Sequence, residues 1–284
     1  MKNCPYCNSP GDVYFKIFSR IYNRCSGCDL IYKEGPDSYE KVLSHYREGY
    51  FGRYSADQAE GSRNKLFNHI LDLIEENRGI GRLLDVGTGC GFFLVAAKKR
   101  GWKVEGIEPS VQSVEVAQRE YRLDVFNGTL QGYDGNGQFD AVTFINVLDH
   151  SAEPWKEIER AKSLLKPGGL IYIRFPNGLL HTRIYRLALK FRLVNLVQEF
   201  LVFHQFCFTP KFIRRFLSDW DFYRITILNS PPSEGDPHRL FLDPTLAQYI
   251  KRSLYLMAKI LEVISGKKTL LGTSLEVMAV KRGS

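Results

Sequence analysis

Short apolar runs and stretches of helical spacing alternate along most of this chain. Leu83-Leu84-Asp85-Val86, Val104 to Ile107, Phe139 to Ile145 and Ile171 to Phe175 are runs of strand length set off by glycine, proline or acidic residues, which predicts buried strands. Phe92 to Arg100, between the first two runs, predicts a helix. Phe222 to Leu228 and Leu275 to Val280 alternate apolar with other residues and predict two more strands. Near the start, Val13 to Phe18, Ile21 to Arg24 and Leu30 to Tyr32 are β-branched and aromatic, so short strands are expected there. Arg183, Arg186 and Lys190 share one helical face, with Ile184, Leu187, Phe191, Val194, Leu196 and Val197 interleaved: a basic amphipathic segment. Leu246, Ile250, Leu254, Met257, Leu261 and Ile264 form a second stripe, most simply a core-facing helix before the last strand and otherwise a surface for a second subunit. Pro231 to Pro237 reads as a loop.

Composition excludes several classes and relocates the charge. The 284 residues are 44% hydrophobic and 25% charged, which suits a globular chain with a sizeable core and excludes collagen-like, low-complexity and supercharged proteins. The net charge of +8 suggests an anionic partner. Residues 1–170 hold 22 basic and 23 acidic side chains, whereas residues 171–284 hold 17 and 8, so the excess belongs to the C-terminal part. The start MKNCPYCNSP lacks the features of a secretory signal, and no apolar run is long enough to span a bilayer. A cytoplasmic setting is the expectation, in which six cysteines serve as metal ligands or buried thiols.

Cys4 and Cys7, then Cys25 and Cys28, form two C-x2-C pairs, the spacing of a four-thiolate zinc site. Each pair curls two sulfurs onto one side of a tight turn, and two pairs complete a tetrahedron. The unit resembles a zinc ribbon. Four thiolates close the coordination sphere, so the metal is expected to be structural, and a segment this small needs such a staple to fold. Residues 1–33 carry five basic and two acidic side chains, and the zinc-bound thiolates lower the charge further, a weak footprint for nucleic acid.

The run ending at Val86 is followed by Gly87-Thr88-Gly89-Cys90-Gly91 and a helix, and the next run ends at Glu108-Pro109. Strand, glycine turn and helix make a nucleotide-cofactor unit, and an acidic group after the second strand can accept hydrogen bonds from ribose hydroxyls. The spacing G-x-G-x-G, with Asp85 before it and Phe at position 92, departs from the dinucleotide fingerprint. Together with Asn146-Val147-Leu148-Asp149-His150 and Lys166-Pro167-Gly168-Gly169-Leu170, it resembles the class I S-adenosylmethionine-dependent methyltransferases over about residues 64–228 and the final strand. The resemblance implies that Asp85, Gly87, Thr88, Gly89 and Gly91 hold the methionine end and Glu108 and Pro109 the ribose side. Asn127, Gly128 and Thr129 fall near the adenine, and Asn146 and Val147 close the cofactor pocket. No Asp follows the third strand, where many relatives place one to receive the adenine amino group.

Methyl transfer needs an aligned acceptor and, for a hydroxyl or carbon acid, a base. His150 follows the fourth strand, where donor and acceptor pockets meet in such enzymes, and is the first candidate. His204 is the second, in a His204 to Thr209 segment that resembles the family's H-x-x-x-F-[ST]. Zinc-ribbon sugar C-methyltransferases share this plan with an acidic residue before that histidine, where Phe203 stands here. Tyr50, in the Tyr46-x-x-x-Tyr50-Phe51 stretch that covers the cofactor in relatives, is the third. Packing or backbone-bonded roles remain open for all three. Cys90 and Cys207 lack the Pro-Cys setting of pyrimidine C5 methyltransferases, and no N-P-P-Y segment points to adenine methylation.

The sequence therefore predicts an α/β fold: a zinc ribbon at 1–35, a cofactor-covering linker at 36–63, and a seven-stranded, mostly parallel Rossmann-like sheet at 64–284 with its last strand antiparallel. Acceptor-side insertions are expected at about 178–205 and 230–268. The leading function is methylation of a small, phosphate-bearing acceptor such as a nucleotide sugar, glycan precursor or lipid-linked intermediate, with S-adenosylmethionine as donor. An RNA methyltransferase that reads RNA through the ribbon, and a non-catalytic cofactor-binding scaffold, are the alternatives. Expected partners are an anionic small molecule, with peripheral membrane contact through 183–192 and a homodimer as options and nucleic acid less favoured.

Overall fold

The computed structural model describes residues 3–48, 63–135, 137–197, 201–232 and 244–283. The chain opens with β1 (Gly11–Ile17), β2 (Arg20–Cys25) and β3 (Ile31–Lys33), then α1 (Tyr39–Glu48). An alternating series follows: α2 (Asn64–Arg78), β4 (Arg82–Val86), α3 (Phe92–Lys99), β5 (Lys103–Glu108), α4 (Val111–Tyr121), β6 (Val125–Asn127), β7 (Phe139–Ile145), α5 (Pro154–Leu164) and β8 (Leu165–Pro176). Then come α6 (Gly178–Lys190), the short α7 (Val194–Val197), β9 (Phe206–Cys207), α8 (Pro210–Asp219), β10 (Phe222–Ser230), α9 (Pro244–Ile264) and β11 (Ser274–Lys281).

Seven strands form one sheet in the order β10-β11-β8-β7-β4-β5-β6. β8, β7, β4, β5 and β6 pair in parallel, and β11 runs antiparallel to both β8 and β10, as the sequence predicts. The chain moves outward from β4 through β5 and β6, then returns to its other side with β7 and β8. That reversal opens a crevice at the carboxyl ends of β4 and β7, the usual ligand position in such sheets. Neighbouring residues of the buried strands serve opposite faces: Leu83 packs with Leu66, Ile70 and Phe93 of α2 and α3, whereas Leu84 joins Ile158 of α5 and Phe212 of α8.

The N-terminal strands form a second, antiparallel sheet, and β9 is its fourth strand, through Ile31↔Cys207 and Tyr32↔Phe206. Cys4, Cys25, Cys28, Leu30 and Tyr32 belong to the same apolar cluster as Phe139, Phe206 and Phe212. Tyr6 packs edge-on against Phe212 and Phe216 and donates a hydrogen bond to Asp219 (2.7 Å). The cysteine unit is thus built into the core of the larger fold.

One expected orientation is overturned. The sequence places the stripe on α9 toward the core, yet Leu254, Met257, Leu261 and Ile264 are exposed while Ala258 and Glu262 are buried. Polar groups set this rotation. The Asn229 backbone N–H of β10 donates to Glu262 Oε2 (2.6 Å) and its side-chain Nδ2 to the Ala258 carbonyl (3.1 Å). These bonds satisfy polar groups that are costly to leave unpaired in the interior.

Candidate active site

The glycine turn lies at the carboxyl end of β4. Gly87 has φ of +72°, and a Cβ there would meet Val147 Cγ2 at 2.5 Å, so glycine is required on both counts. The Gly87 and Thr88 amides donate to the Ile107 carbonyl (2.8 and 3.1 Å), tying the turn to β5. Asp85 is buried and accepts from Thr143 Oγ1 at 2.6 Å; burial pushes its carboxyl up to about 7. Glu108 ends β5, buried, with its two oxygens taking the amides of Gly89 and Ser110 at 2.9 Å each; burial raises it too. Asn127 donates to the Glu108 carbonyl (3.1 Å), as does the Gly128 amide (3.1 Å), which sets the end of β6 and Thr129 beside that acid. Two buried carboxylates on neighbouring strand ends, one on each side of a glycine turn, fit the amino and ribose groups of a nucleoside donor.

Asn146 to His150 form the turn after β7. Asn146 sits in the left-handed region, φ +58°, a conformation asparagine tolerates better than most residues. Val147 packs on the glycine turn, and Leu148 is buried in the core. Asp149 is buried, and neither of its oxygens has a hydrogen-bond partner among the described residues. Burial raises its carboxyl above the ordinary range, opposed by His150. Its Oδ2 lies 3.5 Å from His204 Nε2 and 3.9 Å from His150 Nε2. The two imidazoles face each other with ring centroids 3.7 Å apart at 41°. The two histidines, 54 positions apart in sequence, thus share one buried acid, with ligand atoms of all three within 4.8 Å, a spacing that also suits a divalent cation.

Two devices hold this arrangement. Arg174 of β8 is buried and donates to Asn146 Oδ1 (2.7 Å), Ser230 Oγ (2.9 Å) and the Pro231 carbonyl (3.1 Å), which fixes the turn that carries Asp149. The cysteine unit holds the other side: Tyr22 of β2 donates to the His204 carbonyl (3.1 Å). Gln205 accepts from the Asp37 amide (2.6 Å) and donates to the His150 carbonyl (3.4 Å), linking the two histidine segments. The sequence pattern does not mark Asp149, Arg174 or Gln205 as site residues. A buried-strand arginine such as Arg174, in Ile173-Arg174-Phe175, was the available signal. Tyr50 lies outside the described residues; Tyr46 falls in α1.

Cys4 and Cys28 sulfurs lie 3.6 Å apart, Cys7 and Cys25 sulfurs 3.4 Å, and all four within 4.8 Å of one another. Four sulfurs at about 2.3 Å from a tetrahedral zinc stand close to these separations, so the set is consistent with structural zinc. A hydrogen bond from Cys28 holds the Cys4 thiol down to about 5 while Cys28 itself is pushed up, so the thiols compete for protons in a way that a divalent cation would relieve.

A family profile described as "Methyltransferase domain" matches residues 58–224, beginning after the cysteine unit. A ubiquinone biosynthesis O-methyltransferase of Vibrio parahaemolyticus is 24% identical over 161 residues, 54% of this chain and 68% of that protein. One from Xylella fastidiosa is 26% identical over 157 residues, 49% of this chain and 63% of its own length. This chain spans between about a third and two thirds of the length of the curated relatives it matches. The Burkholderia thailandensis 1,6-didemethyltoxoflavin-N1-methyltransferase, solved with 1,6-didemethyltoxoflavin and S-adenosylhomocysteine, covers 97% of this chain and 100% of itself at TM-score 0.56 and 12% identity, a likeness of fold.

Proposed function

This chain belongs to the S-adenosylmethionine-dependent methyltransferases, and we propose that its acceptor is a small, phosphate-bearing molecule of the nucleotide-sugar, glycan-precursor or lipid-linked kind. The observation that carries the reading is the pair of imidazoles on buried Asp149, packed against the cofactor turn through Val147. Asp85 and Glu108 hold the donor by its amino and ribose groups. When bound, S-adenosylmethionine supplies a methyl group on a sulfonium, which leaves with the acceptor while sulfur keeps the electron pair.

The chain's own residues then have one task besides alignment. A hydroxyl acceptor must lose its proton as the new bond to carbon forms, and His204 Nε2 or His150 Nε2 receives it. Asp149 stabilises the imidazolium that results, since an ion pair formed away from water is worth more than one at the surface. The curated relatives being O-methyltransferases supports a hydroxyl as the nucleophile. The basic face of α6 supports an anionic acceptor: Arg183, Arg186 and Lys190 are exposed, and Arg186 stacks over Tyr14 at 4.3 Å.

The test incubates the purified chain and labelled donor with pools of nucleotide sugars, lipid-linked saccharides and structured RNA. Label should enter a phosphate-bearing small molecule and be lost with His204→Ala. Label in RNA alone, with binding that weakens steeply with salt, overturns the reading.

A further inference from the structure

α9 shows its apolar side to solvent. Tyr249 is 66% exposed, Leu256 61%, Val263 73% and Ile264 77%, with Met257 and Ile260 also open. At 3.6 residues per turn these side chains fall within one half of the helix, opposite Ala258 and Glu262, with Ser253 among them and exposed Arg252 at the margin. Isolated exposed apolar side chains are ordinary, but a contiguous face of this size marks an interaction site.

The exposed charges on α9 and the turn after it, Arg252, Lys267 and Lys268, have one sign. Residues 244–268 contain Lys251, Arg252, Lys259, Lys267 and Lys268 against a single acid, Glu262, which is buried and bonded to Lys259 and the Asn229 amide. A second copy of the chain docking by two-fold symmetry would bring these basic rims together, which opposes association. An anionic lipid surface complements both features: lipid tails receive the apolar side chains, and phosphates receive Arg252, Lys267 and Lys268. No helix among the described residues is long and apolar enough to cross a membrane, so α9 would lie on it.

Position relates the face to the site. After α9 the chain reaches β11, whose first residue pairs with Pro176 at the carboxyl end of β8, and Asn177 at the start of α6 donates to the Leu270 and Gly272 carbonyls (3.2 and 2.9 Å). α9 therefore leads to the sheet edge where the crevice opens.

We propose that the outward face of α9 seats the enzyme on an anionic membrane surface, with the crevice edge of the sheet nearby. The surface is independent of which acceptor is methylated. Flotation with phosphatidylcholine vesicles, with and without phosphatidylglycerol, tests it on the full chain. The protein should float with the anionic vesicles and be released by salt. Leu256→Ser, Ile260→Ser and Ile264→Ser combined, and separately Lys267→Glu with Lys268→Glu, should each reduce the bound fraction roughly tenfold or more. S-adenosylhomocysteine binding should stay unchanged in both variants, which confirms their folding. Flotation that never occurs, or that neither variant reduces, overturns the proposal. So does a dimer in sedimentation that the triple-serine variant splits while vesicles bind nothing.

Discussion

Asp149 is the residue on which the candidate chemistry turns, because a buried carboxylate with no side-chain partner closer than the imidazoles among the described residues gives two histidines a shared counter-charge. Replacing it by Asn keeps the shape and removes the charge. Turnover of Asp149→Asn and of His204→Ala should fall about 100-fold or more, the range for general acid–base catalysis, with cofactor dissociation constants within about threefold of the parent. Calorimetry and single-turnover assays separate the two quantities. Asp85 carries a pH signature. Its folded value of about 7 lies above the unfolded ~3.9, so the stability it confers is fully present below pH ~3.9 and is lost as pH rises through about 7. The ligand-free Asp85→Asn variant should therefore gain melting temperature relative to the parent as pH rises from about 5 to about 8. A difference that stays flat with pH would show that Asp85 holds its proton no more tightly than an exposed acid.

Among the elements, the cysteine unit shows most clearly that local pattern and tertiary placement are separate matters. Its cysteine spacing and β-branched runs mark the four-sulfur cluster and three strands. The fourth strand, β9, is two residues long and pairs with a segment far away in the chain, so no local periodicity reveals it. Through β9, Tyr22 and Gln205 the unit grips the segment that bears His204. Loss of the cluster should therefore disturb chemistry as well as folding. Cys28→Ser should lower the melting temperature by several degrees and turnover by about tenfold or more, with cofactor affinity nearly kept. Melting curves beside kinetics distinguish this from a separately folded appendage, whose loss would leave turnover intact. α9 carries the same lesson in reverse: its stripe was legible, but the side of the helix that meets the protein was decided by Asn229.

For the whole molecule, the excess positive charge lies beyond residue 170, about half of it on the two insertions, and in the cysteine unit Arg24 is held by Asp29. Arg183→Glu with Lys190→Glu should raise KM for a phosphate-bearing acceptor about tenfold while leaving KM for the donor unchanged, read in steady-state kinetics over a salt series. An equal rise in both would assign these side chains a merely structural part. The amino-acid sequence by itself determined the seven strands of the large sheet, the glycine turn with its two acids, and the four-cysteine set. Each is written in residues close together, where period, glycine and spacing act directly. Only the tertiary structure decided that His150 and His204 meet over Asp149, that Arg174 and the cysteine unit hold them, and that α9 faces outward. Those outcomes depend on which distant groups satisfy one another in the interior. Burial makes an unpaired polar atom costly wherever its partner lies along the chain.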